Sequence, residues 1–190
     1  MTRDGTMTNA TRWAFGIFLL MLAGAPSAHA SPLRDGLAAF KRHDYARAGR
    51  LLQSPAEQGD PRAQAVLCYM HNYGRGVPQN YREAASWCLR AANQGNSESQ
   101  YMLGLLYNNG HGVPEDFIEA YKWLNLAATR ASGPKREFSY RIRDNVASKM
   151  SPAQLAKAQA LAMAWRPVPE SRGADLMAGQ CATNKKCLDR

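Results

Sequence analysis

Between Ala63 and Met70 the apolar residues Ala63, Val66, Leu67 and Met70 recur at three- and four-residue spacing, which predicts one face of a helix ahead of Gly74. Gly74-Arg75-Gly76-Val77-Pro78 then breaks the pattern. A glycine just past a helix end takes a left-handed conformation without a Cβ clash, and proline cannot continue a helix interior. Asn80 predicts the N-cap of a second helix, along which Ala84, Trp87 or Cys88, and Ala91 again follow at helical spacing. Small alanines on that face let two helices approach closely, and the tryptophan fills the space between helix pairs. Gly95 closes the unit and the pattern restarts.

The restart is a true repeat. Residues 59–94 and 95–130 align without a gap and are identical at 13 of 36 positions, among them Leu67/Leu103, Gly74/Gly110, Gly76/Gly112, Pro78/Pro114, Trp87/Trp123 and Ala91/Ala127. Unrelated sequences share about two or three in such a window. A fixed period of this length means stacked supersecondary units, and such arrays usually present a binding surface. An incomplete unit precedes them, because Asp44, Tyr45, Ala48 and Gly59 lie 36 residues before Asn80, Tyr81, Ala84 and Gly95. Behind them the pattern fades. Gly133-Pro134 opens a helix with Phe138, Ile142 and Val146 in line. Ser151-Pro152-Ala153-Gln154 is a strong start for another, with Leu155, Ala158, Leu161, Ala162 and Trp165 expected on one face. The expected fold is all-α: an α/α solenoid with units at about 33–58, 59–94 and 95–130, a C-terminal capping helix pair over 131–166, and a basic, cysteine-containing tail over 167–190.

Leu103-Gly104, Tyr107, Gly110, Gly112-Val113, Asp116-Phe117, Ala120, Trp123 and Ala127-Ala128 together resemble the Sel1-like repeat, a relative of the tetratricopeptide repeat. The first full unit departs from it, with Cys68 for the glycine and His71 for the tyrosine. The resemblance covers roughly residues 33–166. It implies a right-handed helical solenoid that serves as an adaptor for other proteins, and it is nearly silent on the ligand.

Residues 1–30 read as a secretory signal peptide. Arg3 and Arg12 precede the apolar run Trp13–Ala23, and Ala28-His29-Ala30 forms a cleavage site before Ser31, whether the start is Met1 or Met7. The run is short for a membrane anchor, which needs about 20 residues, and no second apolar segment follows. The expected location is the periplasm or beyond. Export permits disulfides. Cys181 and Cys187 would close a small loop in the tail; Cys68 and Cys88 fall on the two helices of one unit, either as small buried residues or as a bridge if their Cα atoms lie within about 7 Å. Cys68 and His71 lack a second ligand pair, so no metal or cofactor is expected.

The net charge of +9 is concentrated at the C-terminal end: residues 130–190 carry +7, with Lys135, Arg136, Arg141, Arg143, Lys149, Lys185 and Lys186 contributing, while residues 31–129 carry +1. This surplus is either a solvated face or a patch for an acidic protein or an anionic envelope component. No nucleic-acid motif is present.

Catalysis is not expected. Ser132-Gly133-Pro134-Lys135 matches the S-x-x-K pattern of serine β-lactamases, but Pro134 interrupts it and the partner motifs are absent. A β-lactam or peptidoglycan hydrolase is therefore the weakest reading. The first helix of each unit should instead line a concave surface that takes a protein or peptide. Arg62, Ala65, Tyr69, Asn72 and Tyr73 share one helical face, and Glu98, Tyr101, Leu105, Asn108 and Asn109 are their counterparts. Tyrosine offers large contact area with few rotors, and asparagine reads backbone groups. An adaptor in the bacterial envelope is the leading reading. A periplasmic inhibitor or immunity-type protein that neutralises a hydrolase or toxin is the alternative.

Overall fold

The computed structural model describes residues 31–170. The expected signal peptide, the pair Cys181 and Cys187, and Lys185 and Lys186 lie outside the described residues. Among the described residues there are eight helices and no strand: α1 (Pro32–Lys41), α2 (Tyr45–Glu57), α3 (Pro61–Tyr73), α4 (Tyr81–Asn93), α5 (Ser97–Asn109), α6 (Phe117–Arg130), α7 (Pro134–Ala147) and α8 (Pro152–Ala164). The order follows the sequence pattern: α1 pairs with α2, α3 with α4 and α5 with α6, each hairpin stacks on the next, and α7 and α8 both lie against α6.

The helix starts are chemically specified. Side-chain oxygens of Asp60, Asn80 and Asp116 each accept from two backbone N–H groups of the first turn, of α3, α4 and α6 respectively. Asn96 accepts from Ser99 N–H at α5, and Ser151 and Gln154 form a reciprocal capping box at α8. Each such cap is worth about 1 kcal/mol. The stops are as specific. Gly74 and Gly110 end α3 and α5 with φ of 64° and 65°, and the loops close when Asn80 N–H donates to His71 C=O and Asp116 N–H to Tyr107 C=O. The second loop glycine has a different task. A Cβ on Gly76 would lie 2.6–2.8 Å from the backbone and Cβ of Tyr45 and from Ala46 N, and one on Gly112 would collide with the backbone of Tyr81. Each loop therefore rests directly on the start of the second helix of the preceding hairpin, which explains why the glycine recurs every 36 residues.

Within each hairpin the two helices meet at one intimate pair. A Cβ on Gly36 would sit 2.6 Å from Leu52 Cγ, and a Cβ on Gly104 2.6 Å from Leu124 Cγ. The corresponding residues of the middle hairpin are Cys68 and Cys88, whose Cα atoms are 5.1 Å apart and whose sulfurs are bonded. The leucine-in-glycine contact of the outer hairpins is thus replaced by a buried covalent bridge. Around these pairs the core is built from alanines, Leu52, Leu67, Met70, Leu103, Leu106 and Trp123, all essentially inaccessible. Filling each large position contributes about 1.5–3 kcal/mol.

Two details of the C-terminal helices depart from the expected face. Ala158 and Ala162 are buried, but Leu161 is 37% exposed, because α8 packs mainly against α6 and offers it only a narrow alanine stripe. Phe138, expected in line with Ile142 and Val146, is 43% exposed. No helix among the described residues is long and apolar enough to cross a membrane.

Closing a loop of 20 residues stabilises by about 3 kcal/mol, so Cys68→Ser with Cys88→Ser should lose at least that much. Cys68→Gly with Cys88→Leu copies the second unit and should recover a good part of it, with a melt indifferent to reductant. Equal melting of the two double variants would refute the equivalence. Tyr107 supplies the second test. Burial, then the carboxylates of Glu119 and Asp116, push its phenol up to about 12. The folded chain keeps a proton that the unfolded chain releases above about pH 10. The associated stability is intact below pH 10 and is lost as pH rises towards 12. Urea unfolding at pH 9 and pH 11.5 should show a steeper alkaline loss for the native chain than for Tyr107→Phe.

Candidate functional site

The first helices of the hairpins form a row, α1 beside α3 and α3 beside α5. The row surrounds a groove of about 970 Å³. From α3 the groove takes Arg62, Ala65 and Tyr69, and from α5 it takes Glu98, Tyr101 and Met102. Leu37 and Phe40 of α1 contribute on one side, and Pro134, Lys135 and Phe138 of α7 on the other. The sequence face found the middle of this groove and missed both flanks. Phe40 lies in the incomplete unit, outside the two units that align without a gap, and the spacing of Phe138 with Ile142 and Val146 predicts a packed face for it.

The aromatic rings brace one another. Phe40 meets Tyr69 edge to face with centroids 5.4 Å apart, Tyr69 lies 4.7 Å from Tyr73, and Tyr101 lies 5.9 Å from Phe138, over which Arg141 stacks at 4.8 Å. Burial, then the neighbouring Tyr73, raises the Tyr101 phenol above its ordinary value, against a lowering contribution from Arg141. The charged rim is mostly paired. Arg62 binds Asp60 at 2.8 Å, and Lys135 pairs with Glu98. At Asp60 burial raises the pKa, but the hydrogen bonds from Arg62 and from the Ala63 and Arg62 amides outweigh it, and the net shift is downward. Lys41 on the α1 side has no ion-pair partner among the described residues. Ser99, 1% exposed, lies at the groove, and its buried hydroxyl has no hydrogen-bond partner among the described residues.

The expected ten-residue face divides into two hollows. Arg62, Ala65, Tyr69, Glu98 and Tyr101 line the large groove. Asn72, Tyr73, Leu105 and Asn109 line a second hollow of about 240 Å³ beside Tyr81 and His111, two rings stacked 4.5 Å apart. Asn108 lines neither: its side chain donates to Asn109 and accepts from Lys149 at 3.2 Å.

The basic residues of the C-terminal helices are largely engaged. Arg143 stacks on Tyr140 at 4.6 Å and bonds Asp144 and Asn125. Lys149 sits 5.2 Å over Phe117. Arg136 donates to Ala131 C=O. Ser132 is exposed ahead of α7, and the Lys135 of its S-x-x-K pattern is the partner of Glu98. Among the described residues no group of three His, Cys, Asp or Glu side chains is placed to hold a metal ion.

The family model described as the Sel1 repeat matches residues 61–96 and 97–132. The chain carries two Sel1 repeats. Their frame has the 36-residue period read from the sequence, set two residues later. No curated protein matches the chain. Among solved structures, a protective antigen of uropathogenic Escherichia coli displaying an SLR fold is similar, at 28% identity and a TM-score of 0.64 over 70% of this chain. A Sel1 repeat protein from Oxalobacter formigenes is similar at 36% identity and a TM-score of 0.51 over 53% of this chain. This chain spans 29% and 40% of the length of those two. Sel1 repeats generally mediate protein–protein interaction rather than catalysis. The two Sel1 units here supply the floor of the groove, while α1 and α7, outside the matched residues, supply its flanks.

Repeat-internal identity contained one further signal. Gln64 and Gln100 occupy the same repeat position, both 0% exposed, and each side-chain amide donates to a carbonyl of the preceding helix, Ala56 at 3.0 Å and Ala92 at 3.1 Å. A glutamine identical in two units that match mostly at apolar and turn positions marks a buried polar tie.

The orphan hydroxyl gives the prediction for this region. An unpaired buried polar group costs about 1–3 kcal/mol, so Ser99→Ala should leave the melting temperature unchanged or raise it. A clear loss of stability on thermal melting would show that the hydroxyl has a structural partner in solution.

Proposed function

We propose that this protein is an exported interaction module whose groove holds an extended segment of another protein, and that the adaptor role is exercised in the bacterial cell envelope. One observation carries the reading: a groove of about 970 Å³ floored by both Sel1 units and lined by Phe40, Tyr69, Tyr101, Met102 and Phe138. Rigid aromatic side chains that are already braced lose little entropy when a partner arrives. A row of them in a concave surface is the arrangement from which binding energy is drawn at interfaces. The signal-like segment and the Cys68–Cys88 bridge support export, since such bridges persist in oxidising compartments.

The test uses defined ligands. Selection of a displayed random-peptide library on the mature chain, with Tyr69→Ala/Tyr101→Ala as the counter-target, should return peptides whose affinity falls at least tenfold on the double variant. The variant should retain its helical circular dichroism. Peptides that bind both forms equally, or no enrichment at all, would remove the groove as the interaction surface.

A further inference from the structure

The chain does not end its packing with α8. Residues 165–170 turn back across the junctions between hairpins. Trp165 stacks under Arg130 at 4.4 Å and meets Trp123 edge to face at 6.3 Å. Pro167 lies over Gly95, Val168 N–H donates to Asn93 C=O at 2.9 Å, and Glu170 reaches the earlier junction at Gly59. There its carboxylate, whose side chain is only 8% exposed, accepts from Arg90 Nε at 2.9 Å and Nη2 at 2.5 Å on one oxygen, and from Gln64 Nε2 at 2.6 Å on the other. Gln94 Nε2 stands 3.4 Å from that second oxygen.

What distinguishes this place from a chance ion pair is that each donor is held by something other than Glu170. Gln64 Nε2 also donates to Ala56 C=O at 3.0 Å. Gln94 Nε2 donates to Gly59 C=O and to Gln64 Oε1, both at 2.9 Å. Arg90 donates to the carbonyls of Ala56 and Glu57 at 3.1 and 3.2 Å, and its guanidinium lies 4.6 Å over the Trp87 ring. The donors are therefore oriented by the repeat framework, and preorganised donors are the condition for strong recognition of a carboxylate. Gly59 keeps the entrance open: at φ of 94° it carries no Cβ, and one placed there would lie 3.3 Å from Glu170 Cβ. The second junction repeats the glutamine and not the site. Gln100 keeps its bond to Ala92 C=O, but Leu126 stands where Arg90 would be and Arg130 where Gln94 would be, and Gln100 Oε1 has no partner among the described residues.

We propose that the junction of the first two hairpins is a carboxylate-binding site, built by Gln64, Arg90 and Gln94. Its ligand class is the carboxylate of an acidic residue on an extended, proline-containing segment, and its resident occupant is Glu170 of the same chain. Through this site the segment Trp165–Glu170 ties the second junction to the first, one hairpin back. The inference is independent of the groove.

Chemical rescue on the full chain tests it. Glu170→Ala removes the carboxylate but leaves the anchors at Trp165 and Val168, and should lower the melting temperature by about 5 °C or more. Acetate should then raise it saturably relative to chloride at equal ionic strength, as a ligand of the folded state does. The native chain, and Glu170→Ala combined with Arg90→Met, should respond to acetate and chloride alike. Equal responses of Glu170→Ala to the two anions would overturn the site. If Glu170→Ala does not fold in chloride, folding recovered in acetate supports the site, and failure in both overturns it. Glu170→Gln, nearly isosteric, gives an independent readout: a melt like that of the native chain would show that the carboxylate is not what the pocket recognises.

Discussion

Close approach of two helices at a single residue pair in each hairpin is the constraint on which the rest of the structure depends. Gly36 receives Leu52 and Gly104 receives Leu124, while Cys68 and Cys88 join covalently at the same position of the middle unit. These contacts bring the helices of a hairpin together, and that closeness lets the following loop reach back. Gly76 rests on Tyr45 and Ala46, and Gly112 rests on Tyr81, at distances no side chain would tolerate. Hairpin spacing is thereby set by backbone against backbone. The width of the groove follows from that spacing, because its floor is two neighbouring first helices. A solenoid held in this way tolerates little volume change at the glycines, since a packed interior resists even one added methyl group.

The architecture was legible because nearly all of its determinants are local. The three- and four-residue apolar spacing, the glycines at the ends of α3 and α5, and the side-chain caps at Asn80, Asp116 and Ser151 each act within a few residues. A 36-residue period states them twice. The groove was legible only in its repeated part. Tyr69 and Tyr101 lie on α3 and α5 and share a face that helical geometry predicts, whereas Phe40 and Phe138 arrive from helices outside the repeat. Helical spacing also merged into one face what the structure separates into two hollows, because Asn72 and Asn109 lie about one and about three turns beyond Tyr69 and Glu98, nearer the loops. The carboxylate site was illegible for a third reason. Gln64 and Glu170 are 106 residues apart, and nothing in a periodic pattern reports a contact between a repeat and a segment that follows it.

Charge is the property most changed by seeing the fold. The sequence places a surplus of +7 in residues 130–190, a balance suited to an anionic surface. In the fold Arg143 is sandwiched with Tyr140 and Tyr121, Arg141 covers Phe138, Lys149 covers Phe117, and Lys135 answers Glu98. A guanidinium over an aromatic ring contributes about 0.5–2 kcal/mol while its aliphatic stem covers apolar surface. Lys149 covers a ring of α6 and Lys135 stays exposed beside Glu98, while Arg141 and Arg143 serve first as packing for α7, a helix with only Ser139 and Val146 buried. Their charge still contributes to the long-range field, but their positions are explained by the rings beneath them.

The same economy of contacts accounts for the difference between the two junctions. A buried glutamine at each one ties the stacked hairpins through a backbone carbonyl, and such an amide has a remaining oxygen that must be satisfied. At the first junction Gln94 satisfies it, and this places two amides and a guanidinium around a single opening. At the second junction the residue equivalent to Gln94 is Arg130, whose guanidinium is taken by Trp165. The Gln100 oxygen has no partner there among the described residues, and Trp165 packs on Trp123 and Arg130 instead. One short segment thus closes both junctions by different chemistry, aromatic at the second and ionic at the first. Its register is fixed between them by the Val168 amide on Asn93. Sliding that segment by one residue would break all three contacts together, which is why six residues suffice to fix its register.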